Sequence, residues 1–272
     1  MTHVLVFDSG VGGLSVVAEL RALMPDLYIT YVADDAFRPY GEKTETQLKE
    51  RLPGLLKTMA LAVNPDVVVI ACNTASTTAL AEIRAVLDIP VIGVVPAVKP
   101  AAQMSKTKTI AVLGTPGTVK RKYVDKLIAD FGNGCQVVLH GSTGLVDLAE
   151  RKLSGQDINI DDIHAEIKPM FFAKYREDTH EENNHGENID IVVLACTHFP
   201  LMMKQLKEAA PQQVRWIDSG AAIARRTASV LNKLTLNKVP DYPQTALLIG
   251  GQKNVTRARM FAKFGFVKTV IL

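Results

Sequence analysis

Short apolar runs alternate along the chain with longer stretches in which apolar positions recur at a helical spacing. The runs are rich in Val and Ile, which is typical of strands buried on both faces of a parallel sheet. They predict strands over 4–7, 28–32, 67–71, 91–94, 109–113, 136–139, 191–195, 214–217 and 246–249. The amphipathic stretches predict helices over 14–23, 44–63, 75–86, 119–131 and 200–209. This alternation predicts an α/β doubly wound fold.

The chain also resembles itself at a long spacing. Residues 68–74 read Val-Val-Ile-Ala-Cys-Asn-Thr and residues 192–198 read Val-Val-Leu-Ala-Cys-Thr-His. The runs that begin at Val4 and Ile110 match in the same way, as do those at Val91 and Val214. Each half therefore carries one cysteine in the same place. We predict two pseudo-symmetric parallel-sheet domains that face each other across a cleft, formed by residues 1–96 with 212–272 and by residues 97–211.

Length and composition fit two modest globular domains. The chain has 272 residues, of which 47 % are hydrophobic and 22 % are charged, enough to bury a sizeable core. The 31 Lys and Arg residues are nearly balanced by 28 Asp and Glu residues and form no basic stripe, which argues against a nucleic-acid partner. No run is long enough to span a membrane and the first residues do not form an export signal, so we expect a cytoplasmic protein.

The three cysteines are an odd number, and without an export signal we interpret them as thiols in a reducing compartment. Their spacing fits neither a zinc knuckle nor a redox pair, and we expect no metal site. Cys135 precedes a strand and is assigned to packing. The polar run 174–190 predicts a solvated loop, in which His180 and His185 are surface residues rather than metal ligands. Residues 233–243 are interpreted as a linker.

Cys72 and Cys196 each follow a predicted parallel strand and precede a helical pattern, where open α/β sheets bind their ligands. Helix amides at such positions stabilise a thiolate, so both residues are candidates for reactive groups at neutral pH. A lone cysteine here would more often be a small buried hydrophobic residue. Two cysteines in equivalent positions favour a functional role.

Further polar groups gather at the same predicted strand ends. The Gly-rich turn that begins with Asp8 and Ser9 matches no nucleotide-binding motif, but its amides and its carboxylate suit a zwitterionic ligand, although Asp8 alone could be a helix cap. His198 is placed to exchange a proton with Cys196, and Glu150 is a candidate to orient it. The other donors and turn residues are Tyr40, Gly41, Asn73, Thr74, Thr115, Thr118 and Thr197.

An ordered set of motifs resembles glutamate racemase, within the aspartate/glutamate racemase superfamily. The motifs are Asp-Ser-Gly-Val-Gly-Gly-Leu at 8–14, Pro-Tyr-Gly at 39–41, Ala-Cys-Asn-Thr-Ala at 71–75, Gly-Thr-Pro-Gly-Thr-Val at 114–119, Cys-Thr-His-Phe-Pro-Leu at 196–201 and Ile-Asp-Ser-Gly at 217–220. The resemblance extends from the first strand to about Ala224. The first two motifs indicate glutamate rather than aspartate as the substrate.

This resemblance implies a cofactor-independent isomerase that supplies D-glutamate for peptidoglycan synthesis. It assigns proton transfer to Cys72 and Cys196, with Asp8 assisting the first thiol and His198 with Glu150 assisting the second. We expect a small-molecule substrate, no cofactor, no membrane partner and a homodimer. The expected substrate contacts are Asp8, Ser9, Tyr40, Gly41, Asn73, Thr74, Thr118, Thr197 and His198.

Two other functions are compatible with parts of the pattern. A racemase for aspartate or another small acid would carry the same cysteine pair with different contacts near Tyr40. A non-enzymatic interaction protein with reactive thiols would bind its partner even after Cys72 is replaced. Racemisation assays across several amino acids distinguish the three.

Overall fold

A computed structural model describes residues 2–172, 188–235, 240–250 and 255–272. The strands are β1 (His3–Asp8), β2 (Tyr28–Ala33), β3 (Val67–Ile70), β4 (Val91–Gly93), β5 (Thr109–Gly114), β6 (Gln136–Gly141), β7 (Ile191–Leu194), β8 (Arg215–Ile217), β9 (Thr245–Leu248) and β10 (Lys268–Ile271). The α-helices are α1 (Leu14–Leu23), α2 (Glu45–Val63), α3 (Asn73–Val86), α4 (Val98–Met104), α5 (Pro116–Val119), α6 (Lys122–Phe131), α7 (Gly144–Leu153), α8 (Ile160–Phe171), α9 (Met203–Ala209), α10 (Gly220–Leu231) and α11 (Val255–Lys263).

The strands form two parallel sheets. One has the strand order β10-β9-β2-β1-β3-β4 and the other has the order β6-β5-β7-β8. Without its two added strands, the first sheet has the order β2-β1-β3-β4, which the second sheet repeats strand for strand. The α/β fold with two pseudo-symmetric parallel sheets, predicted from the strand pattern and the repeat, is therefore confirmed.

The sheets belong to two compact units. The first unit comprises Met1–Val95, Leu153–Gly155 and Gly220–Leu272, and the second comprises Pro96–Lys152 and Gln156–Ser219. Compact units need not coincide with independently folding domains, so the division predicted from the sequence stays a prediction. Within the residues that the structure describes, no helix has the combined length and apolarity needed to cross a bilayer.

Alternate residues of each central strand supply two separate cores, because successive side chains of a strand point to opposite faces. In the first unit, Val4 and Val6 pack with α1 and α10, whereas Leu5 and Phe7 pack with α2 and α3. The second unit repeats the arrangement with α7, α8 and α9 on one face and α4 and α6 on the other. Both faces are covered, which explains why these strands read as continuous apolar runs.

The sequence pattern missed several elements. Helices α4, α7, α8, α10 and α11 and the strand β10 were not predicted, and the predicted helix over 119–131 is divided into α5 and α6. The predicted helix over 200–209 begins as a 3-10 turn at Phe199–Met202. β10 is an edge strand that pairs with β9 and is partly exposed, so it lacks the apolar run of a central strand. Most of the polar run 174–190 and part of the linker 233–243 lie outside the described residues.

Candidate active site

The first group of candidate residues lies at the carboxyl ends of β1 and β3. Asp8 is the last residue of β1, and the backbone amide of Ala71 donates to the carbonyl of Phe7 at 2.8 Å. This pairing places Cys72, the N-cap residue of α3, beside Asp8 and Ser9. Asp8 is fully buried and Cys72 is 6 % exposed. The parallel strands thus bring a carboxylate and a thiol to one edge of the sheet, as open α/β sheets do with their ligand sites.

Ser9 lies within reach of the Cys72 thiol. The Ser9 Oγ is 3.7 Å from the Cys72 Sγ, and the Asp8 Oδ1 accepts a hydrogen bond from the Gly10 amide at 2.8 Å. Gly13 permits this close packing, because a Cβ there would lie 2.9 Å from the Asp8 Cβ and 3.0 Å from the Ala71 Cβ. The Gly-rich turn therefore serves close backbone approach around Asp8.

The first turn of α3 supplies polar groups next to Cys72. Asn73 and Thr74 are both buried. Cys72 offers no side-chain cap to the first amides of this fourteen-residue helix, so the N-terminal end retains the positive character that favours an anion. Within the described part of the chain, the Asn73 Oδ1 is buried without a hydrogen-bond partner, and a buried acceptor of that kind calls for a donor.

Tyr40 is buried near the same edge and its hydroxyl is already engaged. It donates to the Asp34 Oδ2 at 2.6 Å, and the Arg51 guanidinium holds the same carboxylate. Burial, followed by the negative charge and hydrogen bond of Asp34, raises the pKa of Tyr40 far above its usual value. Tyr40 is therefore a neutral donor to Asp34, and the adjacent Gly41, which has no side chain, is partly exposed.

The second group occupies the matching position of the other sheet. The backbone amide of Ala195 donates to the carbonyl of Leu113 at 2.7 Å, which repeats the Ala71 and Phe7 pair and makes Cys196 the counterpart of Cys72. Cys196 is 7 % exposed. Thr115 follows β5 as Ser9 follows β1, and its Oγ1 lies 3.0 Å from the Oγ1 of Thr118. Both threonines and Thr197 are buried.

A histidine and a carboxylate extend this second group. The Cys196 Sγ lies 3.7 Å from the His198 Nδ1, and the His198 Nε2 lies 3.1 Å from the Glu150 Oε1. Burial lowers the pKa of His198, but hydrogen bonds to Cys196 and Glu150, with the charges of both groups, outweigh burial and raise the pKa well above 6.5. The net effect favours the protonated form of His198, which is the form that stabilises a negative charge beside it.

Three hydrogen bonds, one near each end of α7 and a second from Lys152, hold the helix that carries Glu150. The Ser142 Oγ accepts from the Leu145 amide at 2.9 Å at the start of α7. Near its other end, the Lys152 Nζ donates to the Leu201 carbonyl at 2.6 Å and to the Gln205 Oε1 at 2.9 Å. The two hydrogen bonds of Lys152 tie α7 to the segment that follows His198, so the helix and the histidine are held together.

The two groups differ at one matched position. Asp8 ends β1, but its counterpart at the end of β5 is Gly114, since Asp8 pairs with Ala33 and Gly114 pairs with Gly141. The second group therefore has no carboxylate where the first has one. Glu150 reaches its thiol from another element, through His198. One thiol therefore stands near a carboxylate, and the other stands near a histidine whose pKa is raised.

Every site residue predicted from the sequence lies in one of these two groups. Asp8, Ser9, Tyr40, Gly41, Cys72, Asn73 and Thr74 belong to the first, and Thr118, Glu150, Cys196, Thr197 and His198 belong to the second. The roles assigned to them stay predictions. Cys135 lies apart, with its Sγ 3.6 Å from the Ala102 carbonyl and its side chain against the core of the second unit.

Asp34 and Arg51 were not predicted from the sequence. Asp34 directly follows β2, and its amide donates to the Asp8 carbonyl at 3.0 Å, so a polar residue after a predicted strand was the signal that could have found it. Arg51 lies in α2, one of many charged residues on an amphipathic helix, and no sequence signal marks it.

Comparison with known proteins identifies the family of the chain. The model of the family described as Asp/Glu/Hydantoin racemase matches residues 14–227. Glutamate racemase of Escherichia coli O7:K1 is 46 % identical over 238 residues, which cover 88 % of this chain and 78 % of that protein.

Solved structures give the same result. The crystal structure of Escherichia coli glutamate racemase in complex with L-glutamate and the activator UDP-MurNAc-Ala matches with a TM-score of 0.88 and 39 % identity, and the match covers 100 % of this chain and 98 % of that one. Glutamate racemase from Aquifex pyrophilus matches with a TM-score of 0.69 and 26 % identity, over 99 % and 98 % of the two chains.

Proposed function

The chain belongs to the Asp/Glu/Hydantoin racemase family and is an amino-acid racemase, and from this premise we propose that it interconverts L-glutamate and D-glutamate through the thiols of Cys72 and Cys196. The 46 % identity to Escherichia coli glutamate racemase supports glutamate as the substrate. The proposal includes no cofactor, since two thiols and the polar groups around them supply the proton transfers that the reaction needs.

One observation carries the proposal. Cys72 and Cys196 follow equivalent strands in two sheets of the same strand order, each at the carboxyl edge and each nearly buried. Racemisation removes the Cα proton from one face of the substrate and delivers a proton to the opposite face, which requires two groups. A pair of thiols suits this task, because a thiol's pKa is close enough to neutrality for it to act as base or acid. The proposal requires the two thiols to address opposite faces of one α-carbon.

In the second group, Cys196 acts as the base toward L-glutamate. The His198 ring faces the Cys196 sulfur, and Glu150 holds the other ring nitrogen of His198. The thiolate takes the Cα proton and becomes a thiol. In the same turnover the Cys72 thiol gives its proton to the other face and becomes a thiolate, so the product is D-glutamate and the two sulfurs have exchanged protonation states.

In the reverse direction, Cys72 acts as the base toward D-glutamate. The Ser9 hydroxyl lies 3.7 Å from the Cys72 Sγ and supports its charged form as a donor. Asp8 assists proton exchange at this thiol, with one carboxylate oxygen held by the Gly10 amide. A carboxylate and a hydroxyl here replace the imidazolium of the other group.

The carbanion formed at Cα carries its charge into the α-carboxylate. The N-terminal amides of α3 favour negative charge, and Cys72 leaves them without a side-chain cap. The buried Asn73 Oδ1 is an acceptor suited to the substrate ammonium group. The threonines of both groups add further donors to the carboxylates.

We also propose that the D-glutamate is used for peptidoglycan synthesis.

The test is racemisation of L-glutamate by the purified protein in deuterated water without added cofactor. We expect deuterium at Cα and formation of the D enantiomer. Circular dichroism and chiral chromatography measure this formation. Cys72→Ser and Cys196→Ser each abolish racemisation, because a Ser hydroxyl is far less acidic than a thiol, whereas the matched control Cys135→Ser keeps the wild-type rate. Turnover of aspartate instead of glutamate would overturn the substrate, and near-wild-type racemisation by either variant would overturn the two-thiol mechanism.

A further inference from the structure

Arg51 makes a two-point contact with a buried carboxylate. Its Nε lies 2.6 Å from the Asp34 Oδ2 and its Nη2 lies 2.7 Å from the Asp34 Oδ1. The Asp34 side chain is fully buried, whereas the Arg51 side chain is 31 % exposed. Paired N–H bonds of this kind fix the orientation of a carboxylate as well as its charge. The two hydrogen bonds from Arg51 therefore hold the Asp34 carboxylate in one orientation.

The orientation of Asp34 affects the first group of site residues, called here the Cys72 half of the site. The Asp34 Oδ2 accepts the hydroxyl of Tyr40 at 2.6 Å, and the Asp34 amide donates to the Asp8 carbonyl at 3.0 Å. Asp34 thus joins the end of β1 to the turn that carries Tyr40 and Gly41. Without Arg51 beside it, the buried Asp34 carboxylate keeps an unpaired negative charge and turns toward water, which alters its contact with Tyr40.

We propose that Arg51 is a positioning residue for the Cys72 half of the site, because it orients Asp34, which in turn fixes Tyr40 and the turn beside Cys72. This inference rests on the proposed function for its kinetic consequence. Arg51 touches neither thiol through any described contact, so its effect passes through Asp34.

The outer side of Arg51 is accessible. It lines an open pocket of about 590 Å³, and its guanidinium lies 4.8 Å from the centroid of the Phe37 ring. The other residues of the pocket are Gln47, Glu50, Gly54, Leu55 and Thr58. When Arg51 is shortened to Ala, this opening lets a small planar cation from solution enter the vacated space and stack on Phe37.

The first experiment is chemical rescue. We expect Arg51→Ala to lose about a hundredfold in kcat in both directions, as small misplacements of a site do, with a much smaller change in KM. Guanidinium chloride at millimolar concentration restores part of kcat in this variant. Arg51→Lys keeps the charge but not the two-point contact, and it recovers less than added guanidinium does. Glu50→Ala, from the wall of the same pocket, is the control and keeps the wild-type rate.

The second experiment needs no turnover. Alkylation of Cys72 and Cys196 by iodoacetamide is followed separately by peptide mass spectrometry as a function of pH. Among the described residues of its own unit, Tyr40 is coupled electrostatically to Cys72, Asp8 ends the neighbouring strand, and the Asp34 and Arg51 pair contacts Tyr40 from behind. Removing the positive member raises the pH at which Cys72 reacts, and removing the negative member lowers it.

The expected shifts have opposite signs. Arg51→Met moves the midpoint of the Cys72 reaction upward and Asp34→Asn moves it downward, each by about one pH unit, while the Cys196 midpoint stays in place. Asp34→Asn is nearly isosteric, so it keeps the test valid if Arg51→Met does not fold. Equal shifts at both thiols, no shift at Cys72, or an unchanged kcat in Arg51→Ala would each overturn the positioning role. If the wild-type protein racemises no glutamate, the proposed function fails while the alkylation result still decides the role of Arg51.

Discussion

The His198 Nε2 lies 3.1 Å from the Oε1 of Glu150, a residue 48 positions away along the chain. Glu150 is on α7 and His198 follows β7, so the contact exists because α7 packs on the sheet that carries Cys196. After the hydrogen bond to Cys196, the contact with Glu150 helps to raise the pKa of His198, and the first prediction concerns that effect.

We expect Glu150→Gln to lower the pKa of His198, since it removes a negative charge and keeps a hydrogen-bonding side chain of the same size. In the wild-type protein the raised pKa of His198 gives stability that is fully present below pH 6.5 and is lost as pH rises through the raised value. In the variant this loss is smaller and is complete at a lower pH. Histidine NMR titrations measure the pKa, and denaturant unfolding at several pH values measures the stability.

The same variant has a kinetic consequence. Because His198 loses the carboxylate that orients it beside Cys196, we expect turnover of L-glutamate at neutral pH to fall by roughly a hundredfold. Asp147→Asn, a carboxylate in the first turn of α7, is the control and keeps the wild-type rate. An unchanged His198 titration in Glu150→Gln would contradict the electrostatic role of Glu150.

Single thiol variants should divide the two directions of the reaction. A glutamate analogue with a leaving group at the β-carbon needs only one base, because loss of the Cα proton forms the double bond as the leaving group departs with its electron pair. By family resemblance Cys72 serves the D isomer and Cys196 the L isomer. We therefore expect Cys196→Ser to eliminate from the D form and Cys72→Ser from the L form. Elimination from both enantiomers by one variant would mean that a single base reaches both faces.

Gly13→Ala should damage the site through packing. The added Cβ would lie 2.8 Å from the Tyr31 hydroxyl and 2.9 Å from the Asp8 Cβ, so Asp8 must move. We expect a loss of roughly 1 to 3 kcal/mol of stability and a lower kcat. Gly54→Ala in α2 is the matched control, because a Cβ there meets no atom within 4 Å, and it should gain about 0.5 to 1 kcal/mol. Thermal unfolding and racemisation rates test both, and equal effects of the two changes would refute the packing argument.

His3 should make the fold sensitive to acid. Burial lowers its pKa from 6.5 to about 4, although Asp66 opposes the change, and its Nε2 lies 2.9 Å from the Thr30 Oγ1. The unfolded chain binds a proton at this residue between pH 6.5 and pH 4 whereas the folded chain does not, so stability falls as pH falls through that range.

The expected loss is up to about 3 kcal/mol, because a tenfold change in proton affinity corresponds to about 1.4 kcal/mol. We expect His3→Gln, which keeps a polar side chain beside Thr30, to have a flatter dependence of unfolding free energy on pH between 6.5 and 4. Guanidinium unfolding of both proteins at several pH values gives the comparison, with pH 8 as the reference condition. Parallel curves for the two proteins would show that His3 does not cause the acid sensitivity.

Local patterns along the chain were enough to predict the two sheets and the positions of the two thiols. Central strands such as β1 and β3 are buried on both faces, so their residues must be apolar almost without interruption, and the position of Cys72 directly after such a run is a local fact. The repeat of that pattern around Cys196 predicted two related sheets, and the matching strand orders confirm it. The motifs also indicated the family, because each motif occupies one short segment and can be read from the sequence.

The contacts among the side chains around the thiols, by contrast, arise only when the chain packs. The sequence offered Glu150 as a candidate to orient His198, but the 3.1 Å contact between their side chains exists only because α7 packs on the sheet that carries Cys196. The same holds for Arg51 and Asp34, whose contact depends on how α2 packs on the sheet and whose effect on Tyr40 arises from burial. Periodicity reports which face of an element is buried, but the pKa of a buried group depends on neighbours that are distant in the chain, and packing alone brings those neighbours together.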